Sequence, residues 1–193
     1  MKVAVIITDM QNDFVSPKGS FAKMGFDISN NSKVINNIIS LKKSLKKLKT
    51  PVIYTACTYD DHFLTDNIRE RFNRNEMDHP FAISKTWGAE IVNELKPEED
   101  DYIIYKHRYS AFWGTNLDTL LKGININTII FAGIETYVCL GLTAIDAYML
   151  GYKVIIAGDC SSSIDNEEHN IALDYCRRYY GVVMNKNRII CKS

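Results

Sequence analysis

Five short apolar runs recur along the chain: VAVIIT at 3–8, PVIYTAC at 51–57, YIIYK at 102–106, NTIIFAG at 127–133 and YKVIIAG at 152–158. They are rich in β-branched and aromatic residues and lack polar alternation, the pattern of parallel strands covered on both faces. GVVM, near residue 182, is a weaker sixth candidate. Between the runs, apolar residues recur at helical spacing at about 29–49, 87–95, 114–122, 136–150 and 166–179. Strand and helix in alternation predict an α/β fold, a parallel sheet with helices on both faces. In the last but one helix the pattern assigns Val138, Leu142, Ile145 and Met149 to the core face, Thr136 to the N-cap and Gly151 to the stop. The stretch 59–85 is polar, carries both signs of charge and includes Pro80, so it reads as a long loop excursion.

With 193 residues and no linker or repeat, a single domain spanning 1–193 is expected. Lysine plus arginine equal aspartate plus glutamate at 23 each, which gives no electrostatic reason to expect a nucleic-acid partner. The one basic cluster, SLKKSLKKLK at 40–49, interleaves lysines with Leu41, Leu45 and Leu48 and reads as a solvated helix face. Five dispersed cysteines without a C-x-x-C pair argue against a disulfide framework or a zinc finger. The N-terminal apolar run is too short for a signal peptide or a membrane span, so a soluble, cytoplasmic protein with no membrane partner is expected.

In a parallel α/β sheet, ligands bind beyond the carboxyl ends of the strands. Three polar clusters follow strands: Asp9 to Asp13, Lys106 to Arg108, and Glu135 to Cys139. No G-x-G-x-x-G or P-loop sequence accompanies them. Cys139 has two readings, a small core residue or a nucleophile at a helix start, where amide groups and the helix dipole favour a thiolate. Asp9 is either a turn cap or a desolvated general base, and Asp13 is structural. Lys106 is either a solvated strand end or the cation beside a thiolate. His107 offers a rival Cys/His pairing, but residue 107 should face away from residue 106.

VIITDMQNDF at 5–14, KTWGAEIVNELKP at 85–97, K-x-R-Y-S-A-F-x-G-T at 106–115 and GIETYVCLGLTAIDAYMLGYKV at 133–154 together resemble the isochorismatase-like cysteine hydrolases, which include nicotinamidases, N-carbamoylsarcosine amidohydrolase and isochorismatases. The resemblance runs nearly end to end. It implies a three-layer α/β/α fold around a six-stranded, mainly parallel sheet of order 3-2-1-4-5-6. It also implies an Asp9/Lys106/Cys139 triad and an oxyanion hole from the Glu135 and Cys139 amides, with a cis Ile134–Glu135 peptide. The implied reaction is hydrolysis of a C–N bond of a small amide through a thioester, with vinyl-ether cleavage or a non-catalytic binding role as alternatives. Phe14, Phe112 and Trp113 are candidate walls for a planar small-molecule substrate. No cofactor is required by this chemistry. A divalent, zinc-like metal in such enzymes would draw on Asp60, His62 and a second histidine; that position holds Phe81, with His79 two residues away. Relatives of this kind form homo-oligomers, and the same is expected here.

Overall fold

The computed structural model describes residues 2–74 and 81–192. All six runs form strands: β1 (Val3–Thr8), β2 (Val52–Cys57), β3 (Tyr102–Lys106), β4 (Thr128–Gly133), β5 (Lys153–Ser161) and β6 (Val182–Met184). They pair in parallel throughout, in the order β3-β2-β1-β4-β5-β6. The winding therefore reverses between β1 and β4, which puts the ends of those two strands side by side.

Successive side chains of a strand point to opposite faces, and β1 shows what that does to packing. Val5 and Ile7 join one core with Val34, Ile38, Leu41 and Leu45 of helix α3 (Asn31–Lys47). Ala4 and Ile6 join a second core with Leu117 and Leu121 of α5 (Leu117–Gly123), Leu140 and Ala144 of α6 (Cys139–Met149), and Leu173 of α7 (Asn166–Tyr179). Burying each of the larger side chains contributes about 1.5–3 kcal/mol, so two covered faces explain why the strand carries no polar residue before Thr8.

The remaining helices are short: α1 (Asn12–Val15), α2 (Ser20–Lys23), α4 (Asp66–Arg74) and α8 (Lys186–Lys192). Among the described residues no helix is long and apolar enough to cross a membrane.

Several expectations are corrected. The edge strand β3 is not covered on both faces, since Tyr105 is 64% exposed. The segment 87–95 is not a helix but two 3-10 turns, Trp87–Ala89 and Asn93–Leu95, because the backbone between them pairs with the turn after β1 through Asn12 N to Glu90 O and Val92 N to Met10 O. The excursion at 59–85 contains α4. The lysine cluster is not simply solvated: Lys42 is buried, its Nζ 2.8 Å from Asp101 Oδ2, and Lys46 Nζ lies 2.6 Å from Asp100 and 2.8 Å from Asp101.

The face of α6 is also rotated relative to expectation. Leu142 and Met149 are exposed, and the helix instead buries Leu140, Gly141, Thr143, Ala144 and Ala147. Small residues let it lie close to its own entry turn, where a side chain at Gly141 would come within 2.5 Å of Thr136 O. Gly151, at φ +91°, ends the helix as expected.

Candidate active site

β1 ends on Thr8, and Asp9 follows in the left-handed region at φ +49°, with its N–H donating to Thr55 O of β2. Gln11, Asn12 and Asp13 fix this turn. Gln11 Nε2 donates to Cys57 O and Ala89 O, and Gln11 Oε1 accepts from Cys57 N. Asn12 Nδ2 donates to Trp87 O. Asp13 accepts from Ser20 N, Ser20 Oγ and Ala82 N, which makes it structural, as read from the sequence. A buried polar turn held by so many bonds presents Asp9 in one orientation.

Asp9 Oδ1 accepts a 2.6 Å hydrogen bond from Thr55 Oγ1, and Asp9 Oδ2 lies 2.7 Å from Lys106 Nζ. Both side chains of this ion pair are almost wholly buried. Lys106 ends β3 two strands away and reaches inward with its full length, donating also to Arg108 O. Burial is the largest influence and opposes its charge, but the attractions of Asp9, Cys139 and Cys57 together outweigh it and hold the ammonium above the usual lysine range. His107 turns the other way, its Nδ1 3.0 Å from Thr58 Oγ1 and its ring stacked on Phe63.

The third residue comes from the neighbouring strand. Gly133, at φ +110°, closes β4 so near β1 that a side chain there would meet Thr8 O at 2.2 Å. The Ile134–Glu135 peptide that follows is cis. Thr136 does not cap the helix; it is fully buried, with its N–H donating to Ser162 O and its Oγ1 2.9 Å from His169 Nδ1. Val138 occupies the cap position and Cys139 is the first residue of α6. The Cys139 thiol lines the same cavity as Asp9 and feels the charges of Asp9 and Lys106.

Burial pushes the Cys139 thiol well above its usual range, and the pull of Lys106 does not offset burial together with the repulsion of Asp9. The helix start therefore does not yield a resting thiolate. The sulfur rests protonated, and a base must take its proton.

Among the described residues, the amide groups around this turn are sharply divided. Those of Ile134, Thr136, Tyr137, Val138 and Leu140 all donate to protein acceptors. Those of Glu135 and Cys139 have none. The Glu135 side chain is held separately, accepting from Ile164 N at 2.9 Å. Burial raises its carboxyl to about 7 against the lowering effect of that bond.

Asp9 and Cys139 open on a cavity of about 370 Å³. Of the expected walls, Phe14 lines it, edge-on to Phe81 and Phe21, which line it too. Phe112 and Trp113 do not. Ala111 N donates to Thr143 Oγ1, which ties their loop to α6; Phe112 then stacks on Tyr152 in the core beneath α5 and α6, and Trp113 is 70% exposed. The walls that the sequence did not reveal include Tyr59, Arg71, Tyr109, Ile164 and Glu168. They come from loops and from α4 and α7, elements without a strand-end signature.

Of the metal-ligand candidates, Asp60 and His62 are described. Both oxygens of Asp60 are engaged by Ser84, from its N–H at 2.9 Å and its Oγ at 2.5 Å. His62 is exposed and packs on Phe63. Phe81 is buried among aromatic rings. His79 lies outside the described residues. Among the described residues no three His, Cys, Asp or Glu side chains stand together as a metal site.

A family model for the isochorismatase domain matches residues 3–188. The chain belongs to the isochorismatase family. Among curated relatives, this family member is 32% identical over 170 residues to ureidoacrylate amidohydrolase RutB of Caulobacter segnis, covering 82% of this chain and 71% of that protein. Among solved structures it matches an isochorismatase-like hydrolase from Alkaliphilus metalliredigens at TM-score 0.83 and 27% identity, covering 100% and 99% of the two chains. It matches N-carbamoylsarcosine amidase from Thermoplasma acidophilum at TM-score 0.78 and 26% identity, over 97% and 98%. The named activities of these relatives are hydrolytic, two of them on amides, and support a hydrolase of the isochorismatase family.

Proposed function

We propose that the protein hydrolyses a C–N bond of a small amide by covalent catalysis at Cys139. The observation that carries this reading is the buried Asp9–Lys106 pair, 2.7 Å apart, with Asp9 and Cys139 lining one cavity. A protonated thiol beside a carboxylate is an unfired nucleophile with its base in place.

Asp9 takes the Sγ proton as sulfur attacks the carbonyl carbon, and the carbonyl electrons move to oxygen. The Glu135 and Cys139 amides, which have no protein acceptor, supply donors to that oxyanion. Asp9 then protonates the departing nitrogen, the C–N bond breaks, and a thioester remains. Water, deprotonated by Asp9, attacks the thioester to give the acid, and the proton returns to sulfur. Lys106 keeps Asp9 and the developing thiolate charged in a site nearly without water. No cofactor enters any step.

The test is ammonia release from a panel of small primary amides and ureas by wild type and Cys139→Ala. The variant is expected to lose activity by about 10³-fold or more. Equal rates in the two proteins would sink the reading, and turnover of a vinyl ether without ammonia would assign a different reaction to the same thiol.

A further inference from the structure

β5 leaves its ladder with β4 and rejoins it at the active-site end of the sheet. Phe131 pairs with Ile156, but Gly133 pairs with Ser161, so Ala132 alone stands opposite Ala157 to Cys160. An insertion of this kind bends and re-aims a strand, and such irregularities recur next to active sites. Here it brings Ser162, Ser163 and Ile164 alongside the turn from Gly133 to Cys139.

The turn is fastened to that segment residue by residue. Ser162 N donates to Gly133 O and Ile164 N to Glu135 Oε2, while Thr136 N donates to Ser162 O and Tyr137 N to Ser163 Oγ. His169, on α7, adds a side-chain link, its Nδ1 2.9 Å from Thr136 Oγ1. Thr136 is fully buried, and its hydroxyl has no other hydrogen-bond partner among the described residues. A buried hydroxyl left without an acceptor is costly, which assigns Nδ1 as the acceptor and the ring proton to Nε2. Burial, reinforced by Arg177, lowers the pKa of the ring, so the neutral form that accepts is the one present at physiological pH.

The two amides without a protein acceptor, those of Glu135 and Cys139, lie on either side of Thr136 in the chain. A shift of Thr136 therefore changes the spacing between them. We propose that His169, acting through Thr136, is a positioning residue that holds the Glu135 and Cys139 amides at the spacing an oxyanion requires. His169 does not line the cavity, so its loss acts on the turn and not on substrate contacts. For its effect on turnover this role rests on the amide-hydrolase reading.

Two reagents separate the turn from the thiol. Iodoacetamide alkylates Sγ by displacing iodide, with no oxyanion formed. p-Nitrophenyl acetate acylates Sγ through a tetrahedral oxyanion, expelling p-nitrophenolate and leaving an acetyl thioester. Alkylation of Cys139 is followed by peptide mass spectrometry, and acylation by the burst of p-nitrophenolate with Cys139→Ala as the blank. His169→Ala, and His169→Leu, which keeps the bulk should the alanine variant not fold, are expected to slow acylation by about 10–100-fold and to leave alkylation at the wild-type rate. His169→Asn, whose Oδ1 takes the place of Nδ1, should recover most of the loss. Thr136→Val should match the His169 variants, and combining the two changes should cost no more than either alone. With an amide substrate, kcat should fall in the His169 variants while KM stays. Wild-type acylation in the His169 variants, an equal fall in alkylation, or no recovery in His169→Asn overturns the role of His169. If the selective loss appears with the ester while the wild type releases ammonia from no amide, the positioning role stands and the amide-hydrolase reading falls. If the ester does not acylate Cys139 in the wild type, both fall.

Discussion

Asp9 and Lys106 depend on each other at the level of single side chains. Removing one partner of a buried pair strands the other charge, at about 3–5 kcal/mol, whereas removing both leaves none to strand. Lys106→Met and Asp9→Asn should each lower the unfolding free energy measured in urea. The double variant should be destabilised by less than the sum of the two, a coupling of about 1–3 kcal/mol. Additive losses would show that the pair is not coupled. Glu135 carries a separate pH signature. Its carboxyl rests near 7 when folded, above its ordinary range when unfolded, so the protonated folded form is favoured. The stability it contributes is fully present below the unfolded pKa and is lost as pH rises towards 7. Thermal melts should show wild-type Tm falling between about pH 4.5 and 7 relative to Glu135→Gln. Parallel profiles would remove Glu135 as the cause.

At the scale of elements, the turn after β4 is built on one glycine. Gly133→Ala places a methyl group 2.2 Å from Thr8 O at a φ that side chains avoid, so it should destabilise by more than about 1–3 kcal/mol or block folding. A soluble variant with wild-type Tm would show that β1 and β4 can part without loss. The inner strands β1, β2 and β4 were legible in the sequence because burial on both faces writes an uninterrupted apolar run. α6 was legible in extent but not in orientation. Its inner face is made of Gly141, Ala144 and Ala147, which carry little hydrophobic signal, while Leu142 and Met149 point outward. α4 was not legible at all, since it buries none of its nine residues fully and its sequence, DNIRERFNR, is mostly charged and polar. Arg71 and Phe72 therefore reach the site from a segment that reads as loop.

For the molecule as a whole, the strand-end residues Asp9, Lys106 and Cys139 were legible individually, and the structure brings them to one place because the sheet reverses between β1 and β4. The cavity walls were not, because their positions depend on how loops fold over the sheet and not on any strand or helix period. The engagement of Asp60 by Ser84 bears on the metal question in the same way, since it is a loop contact. Dialysis against a chelator should leave the rate of ammonia release unchanged; loss restored by zinc would contradict that.

The thioester itself is the most direct test. With the amide that the enzyme cleaves fastest, turnover is quenched in acid and the peptides are mapped by mass spectrometry. The substrate's acyl group is expected on the peptide carrying Cys139 and absent from the peptides carrying Cys57, Cys160, Cys176 and Cys191. An acyl group on another residue, or undiminished turnover by Cys139→Ala, would contradict it.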